Sequence, residues 1–166
     1  MNIRPANIDD ALQIAEIYNH YILTSHCTFE ITPVDSAEMQ SRIKDILDHG
    51  FPFFVAEFGN EIVGYGYAGQ FRPRPGYRHS AEVSVYLNEG GEGRGIAATL
   101  YERLFEEISK LDFHAVIAVI ALPNDASVRL HEKFGFEKVA HLREVGFKFG
   151  KWIDVGYWQL NQTTIK

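Results

Sequence analysis

Residues 81–105 read AEVSVYLNEGGEGRGIAATLYERLF, and the change of character inside this stretch decides how the rest of the chain is read. Its first seven residues alternate. Ala81, Val83, Val85 and Leu87 are apolar, while Glu82, Ser84 and Tyr86 share the other face, which is the period of a strand. Gly90, Gly91, Gly93 and Gly95 follow. Glycine is poor in helices and strands, so a cluster marks a place where backbone must do something that side chains obstruct. From Ile96 the chain reads as a helix, expected to run through about Leu111. Strand, glycine loop and helix in that order put unpaired N–H groups at the positive end of a helix dipole. That is an anion site, with phosphate as its usual guest. The bland alternative is a flexible turn.

Three kinds of phosphate loop can be compared. A P-loop ends in Gly-Lys-Ser/Thr, and here Ile96-Ala97 follow Gly95, which excludes it. A dinucleotide fingerprint needs G-x-G-x-x-G/A opening a βαβ unit, with an acid further on. Gly93-x-Gly95-x-x-Ala98 has the bare spacing and Asp112 follows, but the segment comes after a hairpin rather than opening a parallel sheet. The third kind is taken up below.

Upstream, Ile3–Ala6 reads as a first strand. Leu12, Ile14, Ile17, Tyr18, Tyr21 and Ile22 then recur at nearly helical spacing. Pro33 interrupts. Asp35 or Ser36 caps a second helix that runs through Leu47 and stops at Gly50. Phe53–Phe58 and Ile62–Ala68 form a hairpin across Gly59-Asn60-Glu61, and an Arg- and Pro-rich loop spans Phe71–His79. Downstream come a buried-type strand at Ala115–Ala121, a short helix over Asn124–Phe134 ending at Gly135, and strands around Phe136–Phe147 and Trp152–Gln159. The order β-α-α-β-β-β-α-β-α-β-β predicts a mixed sheet with helices on its faces, of α/β (α+β) class, and not a doubly wound fold.

The length of 166 residues predicts a single domain over 1–166. A net charge of −6 without any Lys/Arg run argues against a nucleic-acid partner. The longest apolar run, Ala115–Leu122, is far too short to span a membrane. One cysteine, Cys27, allows no disulfide within a monomer and fits a reducing compartment. The start, MNIRPANIDD, has no apolar core of a signal peptide, so the cytoplasm is the expected location.

The stretch from Glu92 to Ala97 resembles the Q/R-x-x-G-x-G/A acetyl-CoA loop of the GNAT acetyltransferases, with Gly95 and Ala97 in the small-residue slots. Glu92 departs from it, standing where that family has Gln or Arg. A carboxylate there is expected to face away from the pyrophosphate, with Arg94 compensating. ALPNDASVRLHEKFGF (121–136) resembles the other GNAT signature, an Asn opening a helix followed by a small residue, then Gly and an aromatic. LPNDASVRLHEKFGF together with GFKFGKWIDVGYWQ (146–159) narrows the resemblance to the phosphinothricin N-acetyltransferase branch over nearly the whole chain. It implies a central mixed, mainly antiparallel sheet flanked by helices, acetyl-CoA as co-substrate, direct transfer to an amine, and a homodimer, for which aromatic residues of the C-terminal strands are candidates.

The resemblance also implies roles. Glu82 matches the glutamate proposed as general base in this branch, acting directly or through water; without it, a solvated strand face is the ordinary reading of a glutamate. His131 stands where many GNAT enzymes have a tyrosine that protonates coenzyme A, and is read as general acid or as organiser of that site; a core histidine is the alternative. Family precedent gives the Val85-Tyr86-Leu87 backbone to the pantetheine arm, along with Asn124. Gly93, Arg94, Gly95, Ile96, Ala97 and Ala98 take the pyrophosphate, and Lys133 a nucleotide phosphate. On the acceptor side, Arg72, Arg74 and Arg78 sit on proline-braced backbone and suit carboxylate, phosphinate or sulfoximine oxygens. Phe29 walls the pocket.

Seven scattered histidines make no metal-ligand cluster, and no metal is expected. No G-x-S-x-G elbow supports a serine hydrolase. Two alternatives stay open: a GNAT enzyme for a polyamine, aminoglycoside or protein N-terminus, and a non-catalytic acetyl-CoA-binding module.

Overall fold

A computed structural model describes residues 1–162. Its elements follow the expected order: β1 (Asn2–Pro5), α1 (Ala11–Thr24), α2 (Ser36–Asp48), β2 (Phe53–Phe58), β3 (Glu61–Gln70), β4 (Ser80–Leu87), α3 (Ile96–Ile108), β5 (Ala115–Leu122), α4 (Asp125–Lys133), β6 (Glu137–Lys148) and β7 (Lys151–Asn161). Asp35 caps α2 by accepting from the Glu38 amide, and Asn124 caps α4 by accepting from the Ser127 amide. The α3 helix stops short of the expected Leu111. After Ile108 the amides of Lys110 and Leu111 bond carbonyls three residues back, a tightened final turn.

One sheet runs in the order β1-β2-β3-β4-β5-β7-β6. Every neighbouring pair is antiparallel except β4 and β5. Those two pair only from Ser80↔Ala115 to Glu82↔Ile117 and then diverge. β3 follows β4 as far as Leu87, while β7 follows β5 as far as Leu122. The sheet therefore opens like a V beyond Glu82. Each face carries its own core. Leu100, Tyr101, Leu104 and Ile108 of α3 bury Val83, Val116 and Ile120 on one side. Ile14 and Ile22 of α1, with Ile43 of α2, bury Val55 and Tyr65 on the other. The alternation read in Ala81–Leu87 places the apolar set on the α3 side and Glu82, Ser84 and Tyr86 on the α1 side. Among the described residues, no helix is long and apolar enough to cross a membrane.

Candidate active site

The V is the starting point, because it exposes backbone in the middle of a sheet. The Asn88 amide bonds Val63 O, so even-numbered residues of β4 turn their backbone toward β3. His79 O accepts from the amides of His114 and Ala115, so odd-numbered residues face β5. Past Glu82 there is no β5 to meet them. Odd-numbered backbone thus faces the gap, most openly at Val85; at Leu87 the Tyr21 hydroxyl donates to the carbonyl at 2.9 Å and accepts from the amide at 3.4 Å. Tyr86 differs from the expectation: its backbone is paired with Tyr65 in β3, and it offers the gap only its side chain.

A cleft of about 460 Å³ runs from this gap to the glycine loop. Gly93 and Gly95 hold φ of +72° and +78°, left-handed values that explain glycine at both positions. Gly95 is the N-cap of α3 and no side chain caps that helix, so its first-turn amides stay bare toward the cleft. Gly93, Gly95, Ile96, Ala97 and Ala98 line it as expected. The two charged residues reverse their expected parts. Glu92 lines the cleft, whereas Arg94 does not, and its guanidinium stands 5.9 Å over the Phe58 ring. An aromatic face close to the loop offers Arg94 a partner that Glu92 lacks. The cations that do line the cleft come from α4: Lys133, as expected, and Arg129, which the sequence reading missed. They lie four residues apart on one helix side.

Glu82 sits at the vertex of the V, half-buried, on the same strand face as Ser84 and roughly 7 Å from it along the strand. Burial pushes its carboxyl above the ordinary glutamate value, and the positive charge of Arg72 opposes that rise. Arg72 is held over the rings of Phe71 and Tyr77, at 5.1 and 5.9 Å. Arg74 and Arg78 are exposed; Arg78 donates to Pro75 O within its own loop. Of the three arginines, only Arg72 acts on Glu82. Phe29 rests on β6 at Gly146, where an added Cβ would lie 2.2 Å from the ring.

His131 is 4% exposed and sits between the α3 helix, through Tyr101, and the cleft, which it lines. Its Nδ1 lies 2.7 Å from Ser127 O and its Nε2 lies 2.9 Å from the Tyr101 hydroxyl. A carbonyl only accepts, so Nδ1 carries the proton and Nε2 takes the tyrosine's. Burial lowers the pKa of the ring, against the opposing hydrogen bond to Ser127 O. This is a neutral imidazole with both nitrogens engaged. Asn124 lines the cleft and its side-chain amide also donates to Cys27 Sγ at 3.3 Å.

Tyr21, Cys27, Tyr101 and Ser127 join the site only through the fold. Tyr21 meets Leu87 across 66 residues and Cys27 meets Asn124 across 97, with no spacing rule to announce either. A further tie fixes this wall. The buried Lys148 ammonium donates to Ser25 O at 2.6 Å, Thr28 O at 2.8 Å and Tyr21 O at 3.5 Å. Among the described residues, no group of three or more His, Cys, Asp or Glu is placed to hold a metal.

Residues 3–156 match the family profile described as "Acetyltransferase (GNAT) domain". The phosphinothricin N-acetyltransferase of Streptomyces viridochromogenes is 38% identical over 159 residues, which span 96% of this chain and 86% of that protein. The L-methionine sulfoximine/L-methionine sulfone acetyltransferase of Pseudomonas aeruginosa is 35% identical over 161 residues, spanning 96% of this chain and 94% of that one. Among solved structures, a phosphinothricin acetyltransferase from Sinorhizobium meliloti in complex with acetyl-CoA matches with a TM-score of 0.93 at 36% identity. That match covers 96% of this chain and 87% of the other.

Proposed function

The chain belongs to the GNAT acetyltransferases, and on that premise we propose that it moves the acetyl group of acetyl-CoA directly to the free amine of a small amino-acid analogue of the phosphinothricin or methionine sulfoximine/sulfone type. The observation that carries this reading is the single cleft joining bare α3 amides at one end to open β4 backbone at the other. The first end suits a pyrophosphate and the second an amide-bearing arm. Arg129 and Lys133 add the positive charge that Glu92 takes away. Acetyl-CoA supplies an acyl group activated as a thioester. In this reading the Val85 amide donates to the thioester oxygen, where negative charge grows during transfer.

Glu82 accepts the proton of the attacking amine. On its own face of β4 the first residue to line the cleft is Ser84, two positions on, so a water carries the proton between amine and carboxylate. Burial keeps the group basic enough to do so at neutral pH. Arg72, stacked on Phe71 and Tyr77 with its charge felt at Glu82, meets the acceptor's acidic group, and Phe29 closes the side of the pocket. Acceptor and thioester meet across β4 in one ternary complex. The exposed edge strand β6, with Phe147 and Phe149 beside Trp152 of β7, suits burial against a second copy of the chain, giving a homodimer in the cytoplasm.

The test is thiol release from acetyl-CoA, followed with a chromogenic thiol reagent. L-Phosphinothricin, L-methionine sulfoximine, spermidine and an aminoglycoside serve as acceptors. Turnover is expected on the first two and a loss of about 100-fold or more in Glu82→Gln. Turnover on spermidine or the aminoglycoside alone would overturn the acceptor class. Silence on all four with acetyl-CoA bound would overturn acetyl transfer to these amines.

A further inference from the structure

Among the hydroxyls that line the cleft, that of Ser127 is held on its acceptor side by His131 and still has a proton to give. We propose that Ser127 Oγ is the hydrogen-bond donor to the coenzyme A sulfur as that sulfur leaves the acetyl group, and that Tyr101 and His131 are positioning residues that hold Ser127 in this role.

The argument starts from the histidine. His131 Nδ1–H is committed to Ser127 O, and Nε2 to the Tyr101 hydroxyl. The ring therefore has no proton left for the cleft. Ser127 Oγ lies 3.3 Å from the same Nδ1. Facing an N–H, it accepts. Among the described residues that is the one hydrogen bond Oγ makes, so its own proton has no protein acceptor. Ser127 lines the cleft on the first turn of α4, and its amide is tied to the Asn124 cap. The hydroxyl is thus fixed on the acceptor side and open on the donor side. Tyr21, the hydroxyl opposite, already donates to Leu87 O.

The step balances without a net proton from Ser127. The amine nitrogen forms a bond to the acetyl carbon, the carbon–sulfur bond breaks, and its electron pair stays on sulfur. The amine proton goes to Glu82. Ser127 keeps its proton and lends it to the thiolate as a hydrogen bond, which is stronger to a charged acceptor than to a neutral one.

This rests on the acetyl-CoA reading of the cleft, so the test reads the sulfur contact by binding as well as by turnover. Calorimetry at about pH 9, where part of a free thiol is ionised, compares coenzyme A with desulfo-coenzyme A on the wild type, Ser127→Ala, Ser127→Thr and Tyr86→Phe. Arg129 and Lys133 also line the cleft, and their charges act equally in all four proteins. The wild type is expected to prefer coenzyme A. Ser127→Ala is expected to lose about tenfold or more of that preference, with desulfo-coenzyme A affinity unchanged, and a similar factor in kcat. Ser127→Thr, which keeps a hydroxyl, retains both. An unchanged preference in Ser127→Ala, a threonine variant as poor as the alanine, or a collapse in Tyr86→Phe in place of Ser127→Ala would each overturn the proposal. A wild type that binds neither ligand would overturn the acetyl-CoA reading as well.

Discussion

Lys148→Met tests how the wall of the cleft is held. Lys148 lies at the end of β6, is 4% exposed, and reaches the C-terminal turn of α1 and the loop after it. Two of its bonds, to Ser25 O and Thr28 O, are short, and the third, to Tyr21 O, is at the limit of a hydrogen bond. Charged hydrogen bonds contribute about 1.5–3 kcal/mol each, so two at the low end give about 3 kcal/mol. Part of this is offset, because burial disfavours the ammonium and lowers its pKa. Methionine fills nearly the same volume, so no cavity term is added. The net loss is about 2–3 kcal/mol, which in a chain of this size lowers Tm by about 5–10 °C. Thermal unfolding followed by circular dichroism measures it. The same loop carries Cys27, and Tyr21 O ends the helix that caps Leu87, so KM for acetyl-CoA should rise with the destabilisation. A Tm within about 2 °C of wild type and an unchanged KM would show that the ammonium neither supports the fold nor orders the wall.

Two more outcomes follow from single contacts. In Gly146→Ala the new Cβ would lie 2.2 Å from Phe29 Cε1 and Cζ, and Phe29, already 40% exposed, has solvent to swing into. Steady-state kinetics on both substrates should show acceptor KM rising by about tenfold with acetyl-CoA KM unmoved, at a stability cost of about 1 kcal/mol. For pH, the sign follows from the raised pKa of Glu82. The carboxyl gives up its proton only above the ordinary glutamate value, so kcat/KM falls as pH drops through that raised value, earlier than a free glutamate predicts. A pH–rate profile in which Glu82→Gln keeps the same acid limb would remove Glu82 from the proton path.

The fold was readable because its periodicities are unmixed. Ala81–Leu87 alternates cleanly, and glycine loop, helix and buried strand follow without overlap, so the order of elements needs no tertiary information. The site was readable wherever function sits on backbone that sequence marks directly, as at Gly93 and Gly95 or at the Asn124 cap. It was not readable where side chains choose among neighbours. Local logic turns the Glu92 carboxylate away and sends Arg94 inward. Yet Phe58 lies far off in sequence, and its ring gives the guanidinium a place to stack outside the cleft. His131 is similar. Its position on α4 is legible from the helical spacing, but its protonation depends on Tyr101, thirty residues earlier on another helix, and on a carbonyl one turn back.

What makes these parts one machine is the parity of β4. In a strand, backbone bonding direction and side-chain direction both alternate with each residue. Odd residues of β4 send their backbone into the V and their side chains into the α3 core; even residues bond β3 and send side chains toward α1. Because β5 leaves after Glu82 and Tyr21 takes the Leu87 backbone, the Val85 backbone is open to one substrate just where the even side chains begin to face the other. A one-residue slip of β4 would bury Glu82 in the α3 core and close the open amides against β3, losing both halves at once. The three pairs from Ser80 to Glu82 hold that register, which places the carboxylate at the vertex: the last point where the strand is clamped on both sides, and the first from which a proton can leave.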